Sequence, residues 1–173
     1  VYDILATINN VNAKTVFVLP NNKNIIMSAE QARDLSEKPV YVIPTSNVCE
    51  GIAAAVCFMP EASAEENVDA MTGAIDNVKC GQVTTAVRNT RMDGFSVHEG
   101  DIIGLYGKKI VAKGRDVADV VRHSLKKMVD DDSSVISLYY GSDVKEEDAA
   151  ALAESLQEEY PDVEVMALDG GQP

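Results

Sequence analysis

Residues 16–32, Val-Phe-Val-Leu-Pro-Asn-Asn-Lys-Asn-Ile-Ile-Met-Ser-Ala-Glu-Gln-Ala, constrain the fold of this chain more than any other stretch. Val16, Phe17, Val18 and Leu19 read as a buried strand, and Pro20 ends it because proline has no N–H for a sheet ladder. An amide-rich turn, Asn21-Asn22-Lys23-Asn24, leads directly into a helix start. Strand, polar turn and helix in immediate succession place a loop at a strand's carboxyl end. Open α/β sheets bind ligands beyond such ends, where helix N–H groups receive anionic or amide groups. Local chemistry explains the same residues without a ligand, since asparagine favours turns and helix caps.

Periodicity extends the pattern in both directions. Val1, Ile4, Leu5 and Ile8 recur at helical spacing, and helix is expected over 24–36. Glu37-Lys38-Pro39 breaks it, and residues 40–43 form a second strand without polar alternation, as burial on both faces requires. A helix over 48–58 follows, with Asn47 and Glu50 spaced as a capping box, and Pro60 ends it. Ser63 and Glu66 form a second box ahead of an apolar stripe at Val68, Met71, Ile75 and Val78. From 82 the character changes. A strand over 82–88, then turns at Asp93-Gly94, Glu99-Gly100-Asp101 and Tyr106-Gly107-Lys108, predict an antiparallel β-meander including 102–105 and 109–112. Val117, Val120, Val121, Leu125 and Met128 share one face of a further helix, and 134–140 is a strand. Asp143 and Glu146 are spaced as a box for a last helix to Tyr160, before a final strand over 163–168.

The expected architecture is α/β: a mostly parallel sheet flanked by helices, with an antiparallel β-meander. It is one domain over 1–173 or two lobes, with a boundary at Cys80-Gly81 or around Gly100. A chain of 173 residues buries roughly 70% of the surface its unfolded form exposes and needs no staple. The apolar run at 52–59 falls far short of the roughly 20 residues a spanning helix requires, so a cytoplasmic protein without stable membrane insertion is expected. A start at Val1 and a stop just after Gly170-Gly171 suggest excision from something longer.

Charge and motifs exclude several chemistries. The net charge of −13 opposes binding to nucleic acid, which rests on cationic neutralisation of phosphates. Much of the acid lies at Asp130-Asp131-Asp132 and between Glu146 and Glu159, read as solvated faces or as a docking surface for a basic partner. No P-loop, dinucleotide fingerprint or nucleophile elbow is present, so no ATP site and no catalytic residue is assigned. Cys49, Cys57 and Cys80 fit no disulfide or zinc pattern. The first two fall on similar faces of one predicted helix, and core packing is expected for all three. His98 lies near a turn and His123 on the outer side of a helix beside Arg122, neither at a metal-ligand spacing.

What remains is a set of loops at strand ends: residues 20–24, 45–47, 141–143 and 169–172. If their strands are parallel neighbours, the loops converge on one edge. Asn21, Asn22, Lys23, Asn24, Thr45, Ser46, Asn47, Gly170, Gly171 and Gln172 are therefore the candidate partner- or ligand-binding residues. Small, amide and hydroxyl groups suit hydrogen bonding of a carboxylate or a partner's backbone. Caps and backbone freedom account for the same residue types.

The segments LPNNKNIIMSAEQA, VYVIPTSNVCEGIAAAV, GQVTTAVRNT, YYGSDV and the terminal DGGQP also carry a resemblance. Together they are similar to the C-terminal domain of the large subunit of bacterial fatty acid kinase, over nearly the whole chain. That resemblance implies a DegV-like domain of a larger protein. ATP and divalent metal would be held by N-terminal domains similar to dihydroxyacetone kinase, with no cofactor in this part. It further implies a DegV-like fatty-acid-binding protein as partner. DegV-like acyl binders place a hydroxyl, an arginine and a histidine around the carboxylate. Thr45 and Ser46 are the counterpart of the hydroxyl, and His98 and His123 stand in no matching context.

Three functions follow in order. The first is a noncatalytic domain that docks the acyl-carrying protein, so that its carboxylate is phosphorylated by ATP bound in another domain. The second is a fatty-acid or other small-molecule binding domain in its own right. A stand-alone enzyme comes last. A buried apolar tunnel ending near Thr45 would favour the second, and a filled interior with an exposed loop edge the first.

Overall fold

Two short strands, β1 (Val16–Val18) and β2 (Val40–Val42), pair in parallel in the computed structural model, which describes residues 1–172. Their side chains alternate between two apolar layers. Val16, Val18 and Val40 face Ile4, Leu5 and Ile8 of helix α1 (Tyr2–Asn10) and Ala32 of α2 (Lys23–Leu35). Phe17, Leu19 and Ile43 turn to the other side, against Ala54 of α3 (Val48–Val56) and Val68, Met71 and Ile75 of α4 (Ala64–Asn77). Two buried faces explain why these strands show no polar alternation in sequence.

Polar groups close this first unit, residues Val1–Cys80. The Lys38 ammonium donates to the carbonyls of Ile8, Asn9 and Val11 at 3.2, 3.0 and 2.6 Å, placing a cation on the free carbonyls at the end of α1. Asn67, almost wholly buried, accepts from Met59 N at 2.7 Å and donates to the carbonyls of Met59 and Ser63 at 2.9 and 3.0 Å, fixing the loop between α3 and α4. The Ser63–Glu66 capping box forms with both reciprocal bonds present.

The second unit, residues Gly81–Pro173 by the same division, is described by itself. Strand β3 (Gly81–Thr85) pairs antiparallel with β6 (Ile102–Tyr106), which pairs with β7 (Lys109–Gly114). Between β3 and β6 the chain makes a separate hairpin of β4 (Thr90–Met92) and β5 (Phe95–Val97), turning at Asp93-Gly94, both with positive φ. Ala86, Val97, Ile103, Leu105 and Ile110 pack together in one apolar cluster. Helix α5 (Val117–Met128) lies on the antiparallel sheet, with Val120 and Ser124 against Gly104. Its Leu125 joins Ile136 of β8 (Val135–Tyr140), Leu156 of α6 (Glu146–Glu159) and Val163, just before β9 (Glu164–Asp169), in a further cluster. Strands β8 and β9 pair in parallel.

Three expectations are corrected. The sheet is not mostly parallel: two parallel pairs stand beside an antiparallel three-stranded sheet and a hairpin, none hydrogen-bonded into one sheet. A mixed α/β fold with several small sheets results, because strands of three to six residues covered by helices satisfy themselves pairwise. The meander is interrupted, since β3 skips the hairpin to pair with β6. The Asp143–Glu146 box does not form. Lys145 occupies the N-cap of α6 without a side-chain bond, while Gly141 O accepts from Val144 N at 3.0 Å in the preceding turn.

Glycine at 104 is a packing requirement. A Cβ there would overlap Ser124 Oγ and stand 3.2 Å from the Ala112 methyl. Gly104→Ala is expected to cost about 1–3 kcal/mol in urea unfolding, the usual cost of overpacking a close contact. Adding Ser124→Ala, which removes the nearest atom, should recover part of that loss; no recovery would show that α5 is not held this closely to β6.

Candidate functional site

Parallel pairing of β1 and β2 sets the loops that leave them side by side. The ladder continues through Ile43 N donating to Val18 O at 2.9 Å, and beyond it Asn21 N donates to Thr45 Oγ1 at 2.9 Å. Thr45 is completely buried, so its hydroxyl acts inside the loop pair rather than at its surface. Asn21 has φ of 54°, a left-handed conformation that asparagine adopts more readily than most residues. Its side chain lies against Gly51 of α3, where a Cβ would overlap Asn21 Oδ1. That Oδ1 is buried and accepts no hydrogen bond from the described residues.

Each loop ends in a helix cap. Asn22 Oδ1 accepts from Asn24 N at 2.9 Å to start α2, and Asn47 Oδ1 accepts from Glu50 N at 2.9 Å to start α3. The Asn47–Glu50 box is offset by one residue. Glu50 reaches back to Ser46 N at 2.5 Å and to Asn47 Nδ2 at 2.8 Å, instead of to the N–H of the cap residue itself. Two helix N-termini thus stand at the carboxyl edge of one parallel pair, a polarity that favours negative or amide groups. Asn22, Lys23, Asn24 and Ser46 are exposed along this edge, with Asn21 and Asn47 half-buried. Running away from it, Val48, Ile52 and Val56 form one row on α3 at four-residue spacing, 52%, 37% and 79% exposed.

The loops at 141–143 and 169–172 meet in the same way at the end of the β8–β9 pair. Gly170 N donates to Tyr140 O at 2.9 Å, Ser142 N to Gln172 O at 2.8 Å, and Gln172 Nε2 to Tyr139 O at 2.9 Å. Gly171 takes a positive φ of 65°, its N–H donating to Asp169 Oδ1 at 2.9 Å. A Cβ at Gly170 would collide with Gln172 Oε1. Gln172 therefore ties this end together. The expected single edge is two loop pairs, each at the end of its own parallel pair in its own unit. Pro173 of the terminal run lies outside the described residues.

The cysteines depart from expectation. Cys57 is exposed at the end of α3, because the helix stops at Val56 and the chain turns outward there. Cys49 and Cys80 are half-buried, and their thiols hydrogen-bond each other. That donor draws the Cys49 thiol down to about 7, against burial and the nearby Glu50 carboxylate. Cys80, holding the shared proton, is pushed up. Nothing in their spacing announced the pair.

His98 and His123 are both exposed, as expected. His98 Nδ1 stands 3.6 Å from Asp101 Oδ2, and His123 Nδ1 lies 2.7 Å from Asp119 O. Asp101 also pairs with Lys113 at 2.7 Å, which with the His98 N–H holds its carboxyl below the usual range. No group of three or more metal-ligating side chains occurs among the described residues. A half-open groove of about 320 Å³ runs between β7 and α5, with Phe95, Val111 and Ala112 beside Lys113, Lys126 and Lys127. It does not include Thr45. No helix among the described residues is long and apolar enough to cross a membrane.

Known proteins share this sequence along its whole length. The family of FakA-like C-terminal domains, those of fatty acid kinase, matches over residues 1–173. Protein YloV of Bacillus subtilis (strain 168) is 39% identical over 171 residues, covering 99% of this chain. Uncharacterized proteins of Staphylococcus haemolyticus (strain JCSC1435) and Staphylococcus aureus (strain MRSA252) are 42% and 37% identical over the same length and the same share of this chain. The chain spans 31% of the length of each of these relatives.

The Asn21–Thr45 bond is the joint of the loop pair. Thr45→Val keeps the shape and leaves the Asn21 N–H without its acceptor, an expected loss of about 1–3 kcal/mol. Thr45→Ser, which retains the hydroxyl, is expected to unfold closer to the parent in a urea titration. Equal losses for the two would show that the methyl, not the hydrogen bond, holds the loops.

Proposed function

Because the chain belongs to the FakA-like family of fatty acid kinase C-terminal domains, we propose that it is the noncatalytic docking domain of a two-component fatty acid kinase. On this reading the domain is DegV-like. It holds a DegV-like, fatty-acid-carrying protein so that the acyl carboxylate meets ATP bound, with its divalent metal, in other domains of the same polypeptide. Holding two reactants in register is a sufficient role, since well-oriented groups reach very large effective molarities.

One observation carries the proposal. The polar edge at Asn22, Lys23, Asn24 and Ser46 continues into the exposed apolar row Val48, Ile52 and Val56. An apolar row rimmed by hydrogen-bonding loops has the composition of a protein contact, with a desolvated centre and a polar margin. The charge of −13 directs the choice of partner toward a protein rather than an anionic surface.

A second reading, in which the domain takes a fatty acid or another small molecule itself, has the groove between β7 and α5 in its favour. Its apolar residues beside Lys126 and Lys127 suit an acyl chain with an acidic head.

Calorimetry with a DegV-like protein, with and without bound fatty acid, separates the two. Docking predicts heat with the protein and none with free lipid. Ile52→Asp and Val56→Asp are expected to weaken that association at least tenfold, about 1.4 kcal/mol or more, with unchanged thermal unfolding. Heat from free lipid, abolished by Lys126→Glu, would replace docking with direct acyl binding.

A further inference from the structure

We propose that Cys49 and Cys80 form a paired dithiol site, converted to an intrachain disulfide by exchange with a low-molecular-weight disulfide. Cys49 lies in the first turn of α3, and Cys80 follows the end of α4, so the fold alone brings them together. Their thiols touch through a hydrogen bond, Cys80 donating to Cys49, and neither is oxidised. Sulfurs at hydrogen-bonding distance are within reach of a disulfide after small side-chain rotations. Both residues are half-buried, so a small reagent reaches them.

The surroundings favour attack by Cys49. A first-turn position in a helix and a neighbouring S–H donor both stabilise thiolate. The Glu50 carboxylate opposes this, but its oxygens are held by Ser46 N and Asn47 Nδ2. A thiol that ionises near ambient pH is the most effective attacking group.

The exchange balances in two steps. Cys49 thiolate attacks one sulfur of the reagent RSSR, forming a mixed disulfide and releasing RS⁻. Cys80 then gives up its proton and attacks the Cys49 sulfur, displacing a second RS⁻; the departing thiolates take up the two protons. Two protein thiols are oxidised and one RSSR is reduced to two RSH. The product ties the first turn of α3, which carries Gly51 against Asn21, to the segment after α4. The chemistry does not depend on what that edge docks.

The reduced chain treated with 2-hydroxyethyl disulfide at neutral pH, then acid-quenched, alkylated and mapped by peptide mass, tests this. The parent and Cys57→Ser are expected to lose the Cys49 and Cys80 thiols together and to yield a joined Cys49–Cys80 peptide. Cys80→Ser should stop at a mixed disulfide on Cys49. Cys49→Ser should leave Cys80 reacting roughly tenfold more slowly. Circular dichroism of each variant confirms that it is folded. A mixed disulfide confined to Cys57, or one that persists on Cys49 in the parent, would overturn the proposal.

Discussion

The first unit depends on one constraint: β1 and β2 must be covered on both faces. Two parallel strands of three residues make few ladder bonds and have no stability of their own. Val16, Val18 and Val40 reach the α1–α2 layer, while Phe17, Leu19 and Ile43 reach the α3–α4 layer. Phe17 carries much of the second contact, stacking on Tyr41 at 5.5 Å and meeting Phe58 edge-on at 5.7 Å. A slip of one residue would exchange the layers, so burial also sets the register. The register in turn fixes which loop residues stand opposite each other, and hence the Asn21–Thr45 joint.

The second unit solves the same problem differently. Its β8–β9 pair shares helix α5 with the antiparallel sheet, so one helix serves two surfaces. That arrangement needs small residues where backbone and helix approach, which is why Gly104 and Ala112 lie opposite Val120 and Ser124. Gln157 secures the far side, accepting from Val165 N at 3.1 Å and donating to Val163 O at 2.8 Å.

Function is concentrated where the first unit is least self-sufficient. The edge beyond β1 and β2 holds a buried, unpaired Asn21 oxygen, two capped helix starts and an apolar row with no cover among the described residues. Docking uses all of these at once, whereas a small ligand would use the separate groove on the second unit. The Cys49–Cys80 pair sits at the root of the same helix, α3, that carries the edge.

The helices, most strands, the Ser63–Glu66 box and the two amide-rich loops were legible in sequence, because side-chain period and cap chemistry act over a few residues. Family membership was legible for the same reason, in short runs such as LPNNKN. Tertiary structure alone decided which strands pair, that β3 skips a hairpin, that the loops form two groups, and that Thr45 is buried. The Lys38, Asn67 and Gln157 links and the two touching thiols were equally invisible, since each is a meeting of segments that no local pattern encodes. Even the offset of the Asn47–Glu50 box and the loss of the Asp143 cap follow from where the packed helices begin. Local preference determined the pieces; burial of their apolar faces against particular partners determined the site.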